Sequence, residues 1–244
     1  MSKILALDAS TEVCSVAVGD GSQVTSRFCD IPKSHSKMLL PLIDEVLTEA
    51  NLTLADLDAI AVTRGPGSFT GIRIGLGIVQ GLSYGANIPI VGLSTLEALA
   101  ETARQNGLCE HDGIIVPCLD ARMGEVYSSI YRPAVDDNSW LALVAASVGV
   151  PEKLAALLLK QFAGNSIVAV GHGWHVAPLN DLSVLALDAE LKPQATAVLT
   201  LAQQYFALAG HVVAEESSVF PVGSIEPIYL RNEITWQKRQ RIRQ

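Results

Sequence analysis

The chain has 244 residues, 49% of them hydrophobic and 17% charged, and carries a net charge of −8. That much apolar material fills one large core or two smaller ones. The charge balance excludes a protein that grips nucleic acid over its whole surface, because neutralising phosphates takes a basic patch. Only the end of the chain is basic: Arg231, Lys238, Arg239, Arg241 and Arg243 against Glu233 give it a local +4, leaving −12 for residues 1–230. On composition that tail reads either as a frayed, solvated end or as a contact for RNA or a partner.

In chain order, Lys3 to Asp8 reads as a buried strand, Ala9 to Glu12 as a turn and Val13 to Val18 as the returning strand, so the chain opens with a hairpin. The apolar stretch before Asp8 is too short for a secretory leader, and cytoplasmic residence is expected. A helix follows from about Ser34 to Ala50, with Leu39, Ile43, Val46, Leu47 and Ala50 at helical spacing and Ser34 as its expected N-cap. Met38, Leu40 and Leu42 widen its apolar surface beyond one core face, and Pro41 is expected to bend the helix or mark its true start. A strand over Asp58–Thr63 then leads into Arg64-Gly65-Pro66-Gly67-Ser68 and a second helix that runs to about Tyr84.

That second helix carries Gly71 and Gly75 four apart, and Gly77, Gly81 and Gly85 likewise. Each interior glycine costs about 1 kcal/mol relative to alanine, so the ladder implies backbone packed closely against something. The neighbour is either the protein's own sheet or a helix of another subunit. Further on, Gly113–Asp120, Ala121–Gly124 and Glu125–Tyr131 repeat the opening hairpin, and Leu-Asp-Ala occupies the same corner in both copies, at Leu7-Asp8-Ala9 and Leu119-Asp120-Ala121. A duplicated α/β domain is expected, with units over 1–107 and 108–244 and the last helix and tail able to return to the first. The apolar run Trp140–Val150 is too short to cross a bilayer.

Few residues point to chemistry. Cys14, Cys29, Cys109 and Cys118 form no CxxC, and His172 and His175, the one close histidine pair, have no cysteine or carboxylate nearby, so neither a disulfide framework nor a metal site is expected. The loop Arg64–Gly71 could cradle phosphate at a helix N-terminus, yet it lacks the Lys-Ser/Thr of a P-loop and the glycine spacing of a dinucleotide fingerprint. No Gly-x-Ser-x-Gly elbow is present, and no catalytic residue is assigned. Actin-like ATPases clamp nucleotide phosphates and Mg²⁺ between two Asp-bearing hairpins. Asp8, Ser10 and Thr11 would make a tolerable first phosphate loop, whereas Asp120-Ala121-Arg122-Met123 puts long side chains where phosphate needs bare backbone. Asp8 and Asp120 are read either as remnants of such loops or as turn caps.

The run Arg64-Gly65-Pro66-Gly67-Ser68-Phe69-Thr70-Gly71-Ile72-Arg73-Ile74-Gly75, the opening Ile4–Thr11, Ser34-His35-Ser36 and the ending Pro227–Glu233 resemble the TsaB (YeaZ) family over essentially the whole chain. The resemblance implies a duplicated actin-like ATPase (RNase H-like, ASKHA) fold of two domains. It also implies a process, the transfer of a threonylcarbamoyl group onto N6 of adenosine 37 of tRNA by TsaD, with TsaB and the ATPase TsaE assisting. TsaD-like proteins carry a metal-binding His-x-x-x-His where Leu93 and Glu97 stand here, and leucine cannot ligate a metal. The resemblance therefore implies a partner subunit that is not an enzyme alone. It would bind TsaD, or a second copy of itself when alone, support TsaE and reach tRNA only through the complex. It would have no cofactor of its own, ATP or ADP binding at a complex interface, and no membrane. The implied interface lies on the two helices, at Ser34, His35, Met38, Leu39, Leu42, Ile72, Ile74, Leu76 and Val79. The rival readings are an autonomous actin-like ATPase or kinase, which needs nucleotide between Asp8 and Asp120, and a glycoprotease-like peptidase, which needs a nucleophile or metal.

Overall fold

The computed structural model describes residues 2–32, 34–109, 113–134, 139–209 and 219–231; the basic tail past Arg231, His111 and His211 lie outside the described residues. The apolar opening run forms β1 (Ile4–Asp8), buried along its whole length, and the chain turns back as β2 (Cys14–Gly19) and again as β3 (Val24–Cys29) to make an antiparallel meander. On the other side of β1, β4 (Ala59–Thr63) and β5 (Ile90–Leu93) add in parallel. Helix α1 (His35–Glu49) connects β3 to β4, α2 (Phe69–Ala86) connects β4 to β5, and α3 (Thr95–Gln105) leads out of the first sheet.

The second half repeats this plan. Strands β6 (Ile114–Arg122), β7 (Glu125–Pro133) and β8 (Trp140–Gly149) form the meander, α4 (Pro151–Gln161) takes the place of α1, and β9 (Ile167–Val170) and β10 (Ala186–Asp188) add in parallel beside β6. Two short 3₁₀ turns, His172–His175 and Leu179–Asp181, stand where the first half has α2. Both sheets thus read third, second, first, fourth and fifth strand across, the duplicated RNase H-like order of the actin-like fold. Helix α5 (Ala195–Ala209) follows β10, and the short β11 (Val219–Phe220) closes the first sheet antiparallel to β5.

The core is layered. Helices α1 and α2 cover one face of the first sheet through Leu39, Ile43, Val46, Ile72, Leu76 and Val79. Helix α5 covers the other face through Val198, Leu199 and Ala202, while α3, packed against α5, covers the second sheet through Leu96, Leu99 and Ala103. The last helix therefore lies on β1 and β2 of the opposite half, and each half closes the other's core. Pro41 lies inside α1 rather than at its start, on the exposed side of the helix, where solvent can reach the carbonyl it leaves without an N–H. Ser34 is the N-cap position, but its hydroxyl donates back to the Ile31 carbonyl at 2.5 Å instead of capping the helix.

Adjacent leucines on α1 test the layering. Leu39 is fully buried and Leu40 half exposed, so Leu39→Ala should cost about 2–5 kcal/mol in urea unfolding and Leu40→Ala under about 1 kcal/mol. Equal losses would contradict this placement of α1.

Candidate functional site

Asp8 ends β1 and is fully buried. Its Oδ1 accepts from Ser10 Oγ and Thr63 Oγ1, each at 2.6 Å, while Oδ2 has no hydrogen-bond partner among the described residues. Burial pushes this carboxyl up to about 6, against the pull of those donors. The Thr11 hydroxyl is likewise buried without a partner among the described residues. Above this turn sits the glycine loop: Ser68 N donates to the Ser10 carbonyl at 2.7 Å, and a Cβ at Gly67 or Gly71 would run into the Ser10 or Ala9 carbonyl. From the other side His35 Nε2 lies 3.1 and 3.0 Å from the Thr11 and Val13 carbonyls. Backbone from the glycine loop thus packs directly against the first turn.

The second turn is closed differently. Asp120 Oδ1 accepts from Arg122 N at 2.7 Å, Oδ2 pairs with Arg122 Nη1 at 3.2 Å, and Asp120 N donates to His172 Nδ1 at 3.0 Å. Burial pushes His172 below the usual imidazole range. Arg122 and Met123 take left-handed φ values of 65° and 60°, which for side-chain-bearing residues requires a locally braced turn. The brace is Arg231, whose guanidinium donates to the carbonyls of Ala121 and Arg122 at 3.3 and 3.4 Å and pairs with the Glu125 carboxylate. Between the turns, Lys192 pairs with Glu12 at 3.2 Å and Asp30 at 3.5 Å.

Leu93 is buried in the core, and the nearly buried Glu97 accepts from Tyr205 OH at 2.6 Å; burial pushes the Glu97 carboxyl up. One turn on, Glu101 is held by Arg104 and by Trp140 Nε1 at 3.1 Å. Among the described residues no group of three or more His, Cys, Asp and Glu could hold a metal ion. No helix among them is long and apolar enough to cross a membrane.

The helix-face candidates divide. His35, Leu39, Leu42, Ile72, Leu76 and Val79 are buried, and the apolar ones form the stripe at helical spacing that packs on the sheet. Ser34, Met38 and Ile74 are half-buried and reach the surface. The residues that face outward are Leu40, Phe69 and the 79% exposed Tyr84, with Ile78 and Leu82 half-buried beside them. The glycine ladder serves two faces. Gly71 and Gly75 press on Ala9 of the first turn, whereas Gly77, Gly81 and Gly85 have open space where a Cβ would go.

Sequence reasoning missed the strap that runs from Pro221 to Arg231 along α2. Ile228 N donates to the Arg64 carbonyl at 2.7 Å, Gln80 Nε2 to the Ile225 carbonyl at 2.9 Å and Arg73 Nε to Tyr229 OH at 2.9 Å. The Arg73 guanidinium also lies 3.6 Å over the Phe69 ring. Strap and helix enclose a groove of about 480 Å³ lined by Arg73, Gly77, Gln80, Glu226 and Tyr229. The contacts of Tyr229 and Arg231 could not be read from the sequence because their partners are some 100 to 160 residues away.

Residues 30–155 match the family model described as TsaD, tRNA N6-adenosine threonylcarbamoyltransferase. The chain is 41% identical over 241 residues to the tRNA threonylcarbamoyladenosine biosynthesis protein TsaB of Escherichia coli K12, covering 97% of each chain, and 38% identical to the Haemophilus influenzae protein of that name, covering 96% of each. The solved structure of YeaZ from Pseudomonas aeruginosa aligns with a TM-score of 0.80 at 34% identity, over 94% of this chain and all of that one.

The Asp8 carboxyl supplies a pH test. A folded-state value raised above the unfolded one means the native state holds its proton longer, so Asp8 contributes no penalty below about pH 4 and a growing one as pH rises to about 6. Relative to wild type, Asp8→Asn should therefore gain stability across that window, measured by urea unfolding. Parallel stability curves would contradict it.

Proposed function

The chain belongs to the TsaB (YeaZ) family, and from that premise we propose that it is a non-catalytic partner subunit in forming N6-threonylcarbamoyladenosine at tRNA position 37. Its role in threonylcarbamoyladenosine biosynthesis follows from the relatives; the division of labour is our reading. In it the chain binds and activates the catalytic subunit TsaD, supports TsaE, pairs with itself when TsaD is absent, and resides in the cytoplasm. The observation that carries this is the outward side of α1 and α2. A bare backbone edge at Gly77, Gly81 and Gly85 lies beside Ile78, Leu82 and Tyr84, with Leu40 exposed on the neighbouring helix. Exposed glycines inside a helix are unfavourable unless another helix comes close, and clustered exposed apolar side chains mark a contact surface.

The cleft supports the same division. Backbone packs against the first turn and Arg231 holds the carbonyls of the second, which supports assigning ATP or ADP, where the process uses it, to an interface of the complex. The acidic body leaves tRNA to the partners, with the basic tail as the chain's own share.

Light scattering of the chain mixed with TsaD should give a heterodimer that Leu40→Glu together with Gly81→Arg abolishes while the melting temperature stays within a few degrees. Failure of the wild type to form any complex at varied salt and nucleotide would sink the reading. Deleting residues 237–244 is expected to lower the modification rate of the reconstituted complex more than it weakens self-association. An unchanged rate would remove the tail's role.

A further inference from the structure

The second half carries a cavity that the proposed function does not use. The β7–β8 pairing slips register between Ser128 and Ile130 and again between Ile130 and Tyr131, and such bulges bend the strand and increase its twist locally. Between these strands and α4 a cavity of about 390 Å³ opens, within the size range of small-molecule sites. Its walls are apolar, from Val126, Ile130, Val144, Val148, Leu154 and Leu157.

Four polar groups converge on it. Ser128 and Ser147 face each other across the strands, and Ser128 is 7% exposed. Neither hydroxyl has a hydrogen-bond partner among the described residues. Lys153 and Lys160 line the rim from one side of α4, seven residues and thus about 10 Å apart. Neither amine has a carboxylate partner among the described residues, and no Asp or Glu lines the cavity, in a chain with 25 acidic and 17 basic residues. The first turn of α4, with Val150 and Lys153, adds the positive end of a helix to the same mouth.

We propose that this cavity is a binding site for a small molecule with an anionic group on an apolar body. The head lies between Lys153 and the hydroxyls of Ser128 and Ser147, and the body lies along Ile130, Val144 and Leu157 toward Lys160. Unpartnered hydroxyls and unpaired cations give a carboxylate, phosphate or sulfonate the donors it needs. The apolar walls favour a body with no donors of its own.

The test is a fluorescence titration of the full chain with 1-anilinonaphthalene-8-sulfonate, an aryl sulfonate of this shape. Binding should saturate at one site and weaken by about tenfold or more in Lys153→Glu/Lys160→Glu, at exposed positions, and in Ala156→Phe, which fills the mouth. Uncharged N-phenyl-1-naphthylamine should bind about tenfold more weakly, and amide NMR shifts on adding the sulfonate should cluster at residues 126–161. Unchanged affinity in the folded charge-reversal variant, equal binding of the uncharged probe, or shifts elsewhere would overturn the assignment.

Discussion

The seat of α2 on the first turn is the contact on which the rest of the arrangement depends. Gly67 and Gly71 bring backbone against the carbonyls of Ser10 and Ala9 at a distance no other residue allows, and Ser68 both donates to Ser10 and caps the helix by accepting from Gly71 N. That contact fixes the rotation of α2 about its own axis. With Gly71, Ile72, Gly75, Leu76 and Val79 turned inward, Gly77, Gly81, Tyr84 and Gly85 must face out. The same contact lays the backbone of the glycine loop against the first turn. Closing the first loop and exposing the glycine edge are thus two consequences of one packing choice.

The two halves are tied by elements that cross between them. Helix α5 lies on the first sheet and α3 on the second, and Ala195 N donates to Ser15 Oγ at 2.8 Å across 180 residues of sequence. The strap binds α2 through Ile225 and Tyr229 and then reaches the second turn through Arg231. Anything that moves α2 therefore pulls on the turn held by Arg231. A partner seated on the outer face of α2 would also meet the strap, which walls the groove beside Gly77.

Much of the fold was legible because local patterns agree with the final structure. The contiguous apolar runs Ile4–Leu7 and Ile114–Leu119 became central strands, and the repeated Leu-Asp-Ala corners marked the duplication that both sheets display. The family was legible from Gly65–Gly71. The outward face was not. Periodicity finds the stripe that packs on the sheet, so Leu39, Leu42, Ile72, Leu76 and Val79 stood out although the core takes them, while Leu40 and Tyr84 lay off the stripe. Ser34 was legible as the N-cap position, but not that its hydroxyl would turn back to the Ile31 carbonyl, a choice set by the preceding loop. Arg231 and the strap depend on contacts across more than 100 residues, which no local pattern encodes.

The central claim is that the outer side of α1 and α2 receives another subunit. Hydrogen–deuterium exchange of this chain, alone and with TsaD, tests it most directly. The account predicts that protection on complex formation concentrates in residues 36–48, 70–86 and 225–231 and leaves β8 and α4 unchanged. Protection confined to the second sheet and α4, with 70–86 exchanging as in the free protein, would contradict it.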